Sequence, residues 1–349
     1  MRILLLPISF LYHIVLSIRH KLYDWHFLKT TRFEKPVICV GNLNLGGTGK
    51  TPHTEYLIQL LKDDYRVATL SRGYGRNTKG FKLADAQCTY EDLGDEPMQY
   101  FKKFPEIKVA VDEDRVDGVR KLITSQFTPE VILLDDAFQH RKIMAGLNVL
   151  LTEFQHLYTN DSLFPAGTLR DVKTAARHAQ IIVVSKAPKD LDESSEAEII
   201  AQLKPRPKQK VFFSYLEYDD LQPLNTTAEG FDAESADSVL LFCGIAHPKP
   251  LIDRLKSQFK QVEVVTFADH HAYTKNDVKC IMERFAEIEG TKKIIVTTEK
   301  DAARLTNSPY LCQFEGTPLY ALPVSVRFHE EEKFNEEILR YVRQNNHHG

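Results

Sequence analysis

Residues Val40 to Thr51 read VGNLNLGGTGKT, and little else in the chain limits its fold so strongly. The apolar, β-branched run Pro36–Val40 before this stretch predicts a short buried strand. After it, Tyr56, Leu57, Leu60 and Leu61 share the spacing of one helical face. Strand, glycine-rich loop, Lys-Thr and helix is the order of a phosphate-binding loop. Glycines let successive backbone N–H groups turn inward around phosphate oxygens, and the helix N-terminus adds positive potential. Asn44, Leu45, Gly46, Gly47, Thr48, Gly49, Lys50 and Thr51 are therefore the expected ATP-binding residues, with Lys50 on the β- and γ-phosphates and the Thr51 hydroxyl on Mg²⁺. Asn44 stands where the pattern asks for Gly; Asn tolerates a left-handed backbone, so the loop is expected to close.

A second signal is Val131-Ile132-Leu133-Leu134-Asp135-Asp136, an apolar strand ending in two acids. Nucleotide hydrolases and kinases hold Mg²⁺ this way opposite the phosphate loop, which makes Asp135 and Asp136 expected metal residues with Thr51. Gly94-Asp95-Glu96-Pro97 is an acidic turn opening a helix, and Ser71-Arg72-Gly73-Tyr74-Gly75-Arg76 is a basic loop after a strand.

At 349 residues two domains are expected, and strands alternating with helices in both halves predict parallel sheets. The expected class is α/β. A phosphate-loop domain with a mainly parallel sheet covers 25–210, a connection covers 211–237, and a smaller α/β domain covers 238–349. A net charge of −3 gives no signal for nucleic acid. The five cysteines are scattered and form no C-x-x-C pair, which argues against a disulfide framework or a zinc site.

Residues Ile3 to Ile18 are almost wholly apolar. As a helix they would run about 24 Å, short of the ~30 Å hydrocarbon core of a bilayer. Ser9, His13 and Ser17 fall on one stripe, and Arg19, Lys21, Lys29 and Arg32 form a basic collar. An amphipathic helix over 1–24 lying on a membrane is one reading; a buried core helix is the other.

The phosphate loop with its following Pro52, the Ser71–Gly75 loop, Gly94–Pro97, Asp135-Asp136-Ala137-Phe138-Gln139-His140 and Asp269-His270-His271 together resemble the tetraacyldisaccharide 4′-kinases. The likeness runs in order from the N-terminal helix to about Leu305, with Ala137 where the family usually has Gly. It implies an ATP- and Mg²⁺-dependent kinase acting on the 4′-hydroxyl of tetraacyldisaccharide 1-phosphate, a lipid A precursor, at the cytoplasmic face of the bacterial inner membrane. It also implies Asp95 as base, oriented by His270, and Lys50 as a catalytic cation. Arg72, Arg115, Gln139, His140 and Arg170 are implied contacts to phosphate or sugar. A monomer is expected. The alternative is a membrane-associated ATPase switch of the partition and division-site type, whose signature lysine is replaced here by Leu45.

Overall fold

The computed structural model describes residues 2–269, 271–305 and 310–346. Helix α1, Leu6–Asp24, leads into strand β1, Val37–Asn42, the phosphate loop and helix α2, Lys50–Leu61. There follow β2 (Val67–Ser71), α3 (Asp95–Lys103), β3 (Lys108–Val111), α4 (Arg115–Ile123), β4 (Val131–Asp135), β5 (Leu147–Glu153), β6 (Ile181–Ser185), α5 (Glu193–Leu203) and β7 (Lys210–Tyr218). Every residue of β1, β2, β4 and β6 is buried, as strands covered on both faces require. The strands pair in parallel in the order β7-β6-β5-β1-β4-β2-β3.

The second lobe holds β8 (Ser238–Cys243), α6 (Lys249–Gln258), β9 (Gln261–Thr266), α7 (Lys275–Glu287), β10 (Lys293–Thr298), α8 (Glu299–Leu305) and β11 (Leu319–Leu322). Its parallel order is β11-β10-β8-β9. The mainly parallel α/β architecture with a smaller second lobe is as expected, but the boundaries are not. Strand β7 lies inside the expected connection, yet its buried Phe212 and Phe213 make it a strand of the first sheet. Residues after 323 also return to the first lobe. Strand β12, Val324–Phe328, pairs antiparallel with β7. Helix α9, Glu331–Asn345, puts Phe334, Ile338 and Val342 into the core that holds Ile38, Leu57 and Leu133. The second lobe is thus an insertion between two paired strands of the first, and the Asp219 N–H to Pro323 carbonyl bond (3.1 Å) ties its two chain crossings together.

Helix α1 is not a core helix. Leu6, Phe10, Leu11, Val15 and Ile18 are each about half or more exposed, while Ser9, Leu16, His20 and Tyr23 face the protein. Of the stripe read from sequence, Ser9 is buried, Ser17 half-buried and His13 exposed. Among the described residues no helix is long and apolar enough to cross a membrane.

Candidate active site

The phosphate loop and Asp135–Asp136 sit at the carboxyl ends of the adjacent strands β1 and β4, where ligands gather in open α/β sheets. Gly49 caps α2 at φ 78°, a left-handed backbone that glycine adopts without a steric penalty. Its carbonyl accepts a 2.7 Å bond from His53 Nδ1, whose Nε2 faces the Ser214 hydroxyl at 2.9 Å. Burial pushes the His53 pKa down to about 4, so the ring stays neutral. Asn44 does not use the left-handed backbone that Asn tolerates. It forms a bridge with Leu169 and donates to the Thr168 hydroxyl at 3.1 Å, tethering the loop to segment 161–169.

Asn42 is the hub of the loop. Its amide donates to the Thr48 hydroxyl (2.8 Å), and its Oδ1 accepts from Lys50 (3.4 Å) and Arg170 (2.6 Å). Asp136 sits at φ 51°, facing Lys50 at 3.7 Å and a two-pronged Arg170 guanidinium. Burial pushes the Asp136 pKa up, but the Arg170 hydrogen bond and the Lys50 charge more than offset this and hold it below the usual carboxylate range. Asp135 is the opposite case. Burial, with the Asp136 charge behind it, pushes its pKa up to about 7. Its Oδ2 accepts from Tyr100 on α3 at 3.0 Å, while its buried Oδ1 has no partner.

That orphaned oxygen bears on metal binding. Among the described residues no group of three or more His, Cys, Asp and Glu side chains is placed to hold an ion. Mg²⁺ does not need one, because it is usually held by one or two carboxylates together with substrate phosphates and water. Asp135 Oδ1 and the Thr51 hydroxyl suit that arrangement. Asp136, expected beside them, faces Lys50 and Arg170.

Raised acids cost stability in a defined pH window. Asp135 favours the folded chain fully below its usual pKa of 3.8, and this contribution is lost as pH rises through about 7. Asp135→Asn should therefore flatten the pH dependence of unfolding measured without Mg²⁺ or nucleotide. At pH 8 it should be more stable than wild type by a few kcal/mol, at ~1.4 kcal/mol for each tenfold change in proton affinity, yet unable to transfer phosphate. Identical pH dependence in the two proteins would refute the burial cost.

The other expected contacts divide. Gln139 donates to the Asn42 carbonyl at 2.7 Å, so with Arg170 it braces the loop. Arg115 is buried and donates to the Asp112 carbonyl at 2.7 Å. His140 is half-buried with an unpartnered Nε2, and burial and the Arg115 charge push its pKa down to about 4. Arg72 is exposed at the end of β2, whereas Arg76 is bound to Glu113 at 2.7 Å.

Asp95 and Glu96 open α3, the helix that carries Tyr100 to Asp135. Gly94 before them, at φ 93°, packs so tightly that a Cβ would lie 2.8 Å from the Tyr74 carbonyl oxygen. Asp95 receives a 2.6 Å bond from Arg304 on α8 of the second lobe. Arg304 also donates to buried Asp301 at 3.1 Å, and Asp301 accepts from the Gly244 N–H at 3.0 Å. His270 lies outside the described residues. Sequence reasoning assigned no role to Arg304, nor to His247, whose Nε2 would be 3.8 Å from a Cβ on Gly47. A signal for Arg304 was present: an arginine beside two alanines, just after a strand.

Residues 1–343 match the family model described as tetraacyldisaccharide-1-P 4′-kinase. The tetraacyldisaccharide 4′-kinase of Bacteroides thetaiotaomicron is 43% identical, over 98% of this chain and 93% of that protein. That of Flavobacterium johnsoniae is 44% identical, over 99% and 98%. The crystal structure of LpxK from Aquifex aeolicus in complex with ATP covers 98% of this chain and 99% of its own, at 31% identity and a TM-score of 0.76.

Proposed function

This chain belongs to the tetraacyldisaccharide 4′-kinase family, and from that premise we propose how its own residues carry out the transfer. The reaction moves the γ-phosphoryl group of ATP to the 4′-hydroxyl of a tetraacyldisaccharide 1-phosphate, a step of lipid A synthesis. The observation that carries the assignment of roles is the meeting of Lys50, Asn42, Asp135 and Asp136 at the carboxyl ends of two central strands, beside the helix that presents Asp95.

Phosphoryl transfer passes through a loose transition state, so positioning and charge neutralisation do most of the work. Lys50 and the loop N–H groups hold the β- and γ-phosphates. Asp135 and Thr51 would hold Mg²⁺, which would supply positive charge against the charge developing on the phosphoryl group. Asp136 keeps Lys50 and Arg170 aimed at the loop. The 4′-oxygen forms its bond to phosphorus as the bond to the ADP oxygen breaks, and the hydroxyl proton passes to Asp95, oriented by His270. Arg304 holds Asp95 in place from the second lobe through its 2.6 Å bond. Arg72 and His140 are left to meet the sugar and its phosphate, while Arg115 is buried against the Asp112 carbonyl. The experiment is phosphate transfer from labelled ATP to the lipid acceptor in detergent micelles. No labelled lipid product from wild type would overturn the reading.

The outward apolar face of α1 supports docking on the cytoplasmic leaflet, where the substrate's acyl chains reside. Each large side chain buried contributes ~1.5–3 kcal/mol, with help from Lys21, Lys29 and Arg32 against anionic headgroups. Replacing Leu11, Ile14, Val15 and Ile18 by Ser should move the protein from the vesicle pellet to the supernatant and raise KM for the lipid more than KM for ATP. Unchanged sedimentation would argue for a different partner of this face.

A further inference from the structure

A helix that docks on a globular lobe ordinarily buries its apolar face. Helix α1 leaves most of its apolar side chains outward, and beside buried Leu16 and Tyr23 its inward contacts are polar and directional. The Ser9 hydroxyl donates to the Leu163 carbonyl (2.9 Å) and accepts from the Ala166 N–H (3.0 Å). Tyr12 donates to the Arg170 carbonyl (3.2 Å), and Arg19 to the Gln139 carbonyl (2.9 Å). His20 Nε2 meets the fully buried Asp171 at 2.7 Å. Arginine has no acceptor, so the Arg141 contact at 3.1 Å makes His20 Nδ1 the acceptor there and leaves Nε2–H to donate to Asp171.

These contacts land on residue 139 and on segment 163–171. The same two places brace the phosphate loop: Gln139 holds the Asn42 carbonyl, and Arg170 holds Asn42 Oδ1 and Asp136. Asn42 in turn holds Thr48 and Lys50. From the membrane-facing helix to the phosphate-binding lysine the path is a short chain of hydrogen bonds. Apolar packing alone would tolerate sliding of the helix; hydrogen bonds of fixed direction set its register.

We infer that the polar underside of α1 is a positioning device for phosphoryl transfer, in which His20 on Asp171 and Arg19 on Gln139 hold Arg170 and Gln139 against Asn42 and Asp136. His20, Asp171 and Arg19 are positioning residues and touch no substrate. The helix thus does more than anchor: its seating sets the geometry of Lys50.

The inference rests on the kinase reading, and one set of measurements separates the two. Wild type, Arg19→Met, His20→Ala, His20→Gln and the double variant Arg19→Met/His20→Ala are assayed in mixed micelles at saturating ATP and lipid, and by sedimentation with phosphatidylglycerol vesicles. Displacing catalytic groups by about 1 Å can cost 10²-fold. The double variant should accordingly lose about 10–100-fold in kcat while sedimenting like wild type and keeping its KM for lipid. The Gln amide can donate the same bond to Asp171, so His20→Gln should recover most of the loss. Arg19→Met removes one bond at a half-buried side chain, so the test survives if the His20 variants fail to fold. Unchanged kcat, a loss that follows vesicle binding, or a Gln variant as poor as Ala would overturn the inference. A wild type that transfers no phosphate would overturn the kinase reading instead.

Discussion

Asp95→Ala should lower kcat by about 10²–10⁴-fold while leaving ATP affinity near wild type, because general-base assistance is worth about that much. Asp95 lies at the mouth of α3, outside the phosphate loop and bonded to Arg304 of the second lobe, so nucleotide binding has no reason to suffer. His270→Ala should cost less, since orienting a base is a smaller task than accepting the proton. Groups that act as a unit lose their effect once, so the double variant should be little worse than Asp95→Ala alone. A double-mutant cycle on kcat, at saturating lipid and ATP, decides the matter. Fully multiplicative losses would dissolve the pair into two independent residues, and an unaltered kcat for Asp95→Ala would remove it from the chemistry.

The second large effect is expected at Arg304. Its side chain is 2% exposed, and it holds Asp95 on one lobe and Asp301, itself 0% exposed, on the other. Removing one member of a buried ion pair leaves an uncompensated charge, at a cost of ~3–5 kcal/mol. Arg304→Ala should lower the urea midpoint of unfolding by a corresponding amount and cut kcat along with it, because Asp95 then loses the bond that positions it. Arg304→Lys retains the charge but not the planar fork that reaches two carboxylates, and should fall between the two. An Arg304→Ala protein as stable as wild type would show that the pair contributes nothing across the lobes. Normal stability with a collapsed kcat would confine the role of Arg304 to Asp95.

The features legible in the sequence are those written in consecutive residues. Pro36 to Leu61 announces strand, phosphate loop and helix because each is specified by local periodicity and by glycine. Val131 to Asp136 does the same for the acidic strand end. What stayed hidden was made by distance along the chain. Arg170 reads as a substrate contact until it is seen to fold back on Asp136, 34 residues away, and Asn42, 128 away. Arg304 reaches Asp95 across 209 residues. Asn44 misled for the opposite reason, since a plausible local account of its backbone concealed a tertiary bridge to Leu169. The domain limits failed because β7 looked like a tether, and nothing local says that the chain after the second lobe goes back to pair with it.

That return has a consequence for how the protein is made. Phe328 and Phe334, stacked 3.9 Å apart, form the floor beneath α2: Tyr56 packs edge-on against Phe328 at 5.0 Å, and His53 does so at 5.9 Å. The helix that carries Lys50 and Thr51 leaves the ribosome well before Phe328 and Phe334, its floor, are synthesised. At ~5–20 residues per second, the nascent kinase spends many seconds with its first sheet open at one edge and its apolar leading helix already exposed. A bilayer nearby would shelter α1 during that interval. Removing residues 324–345 should leave α2 without that floor.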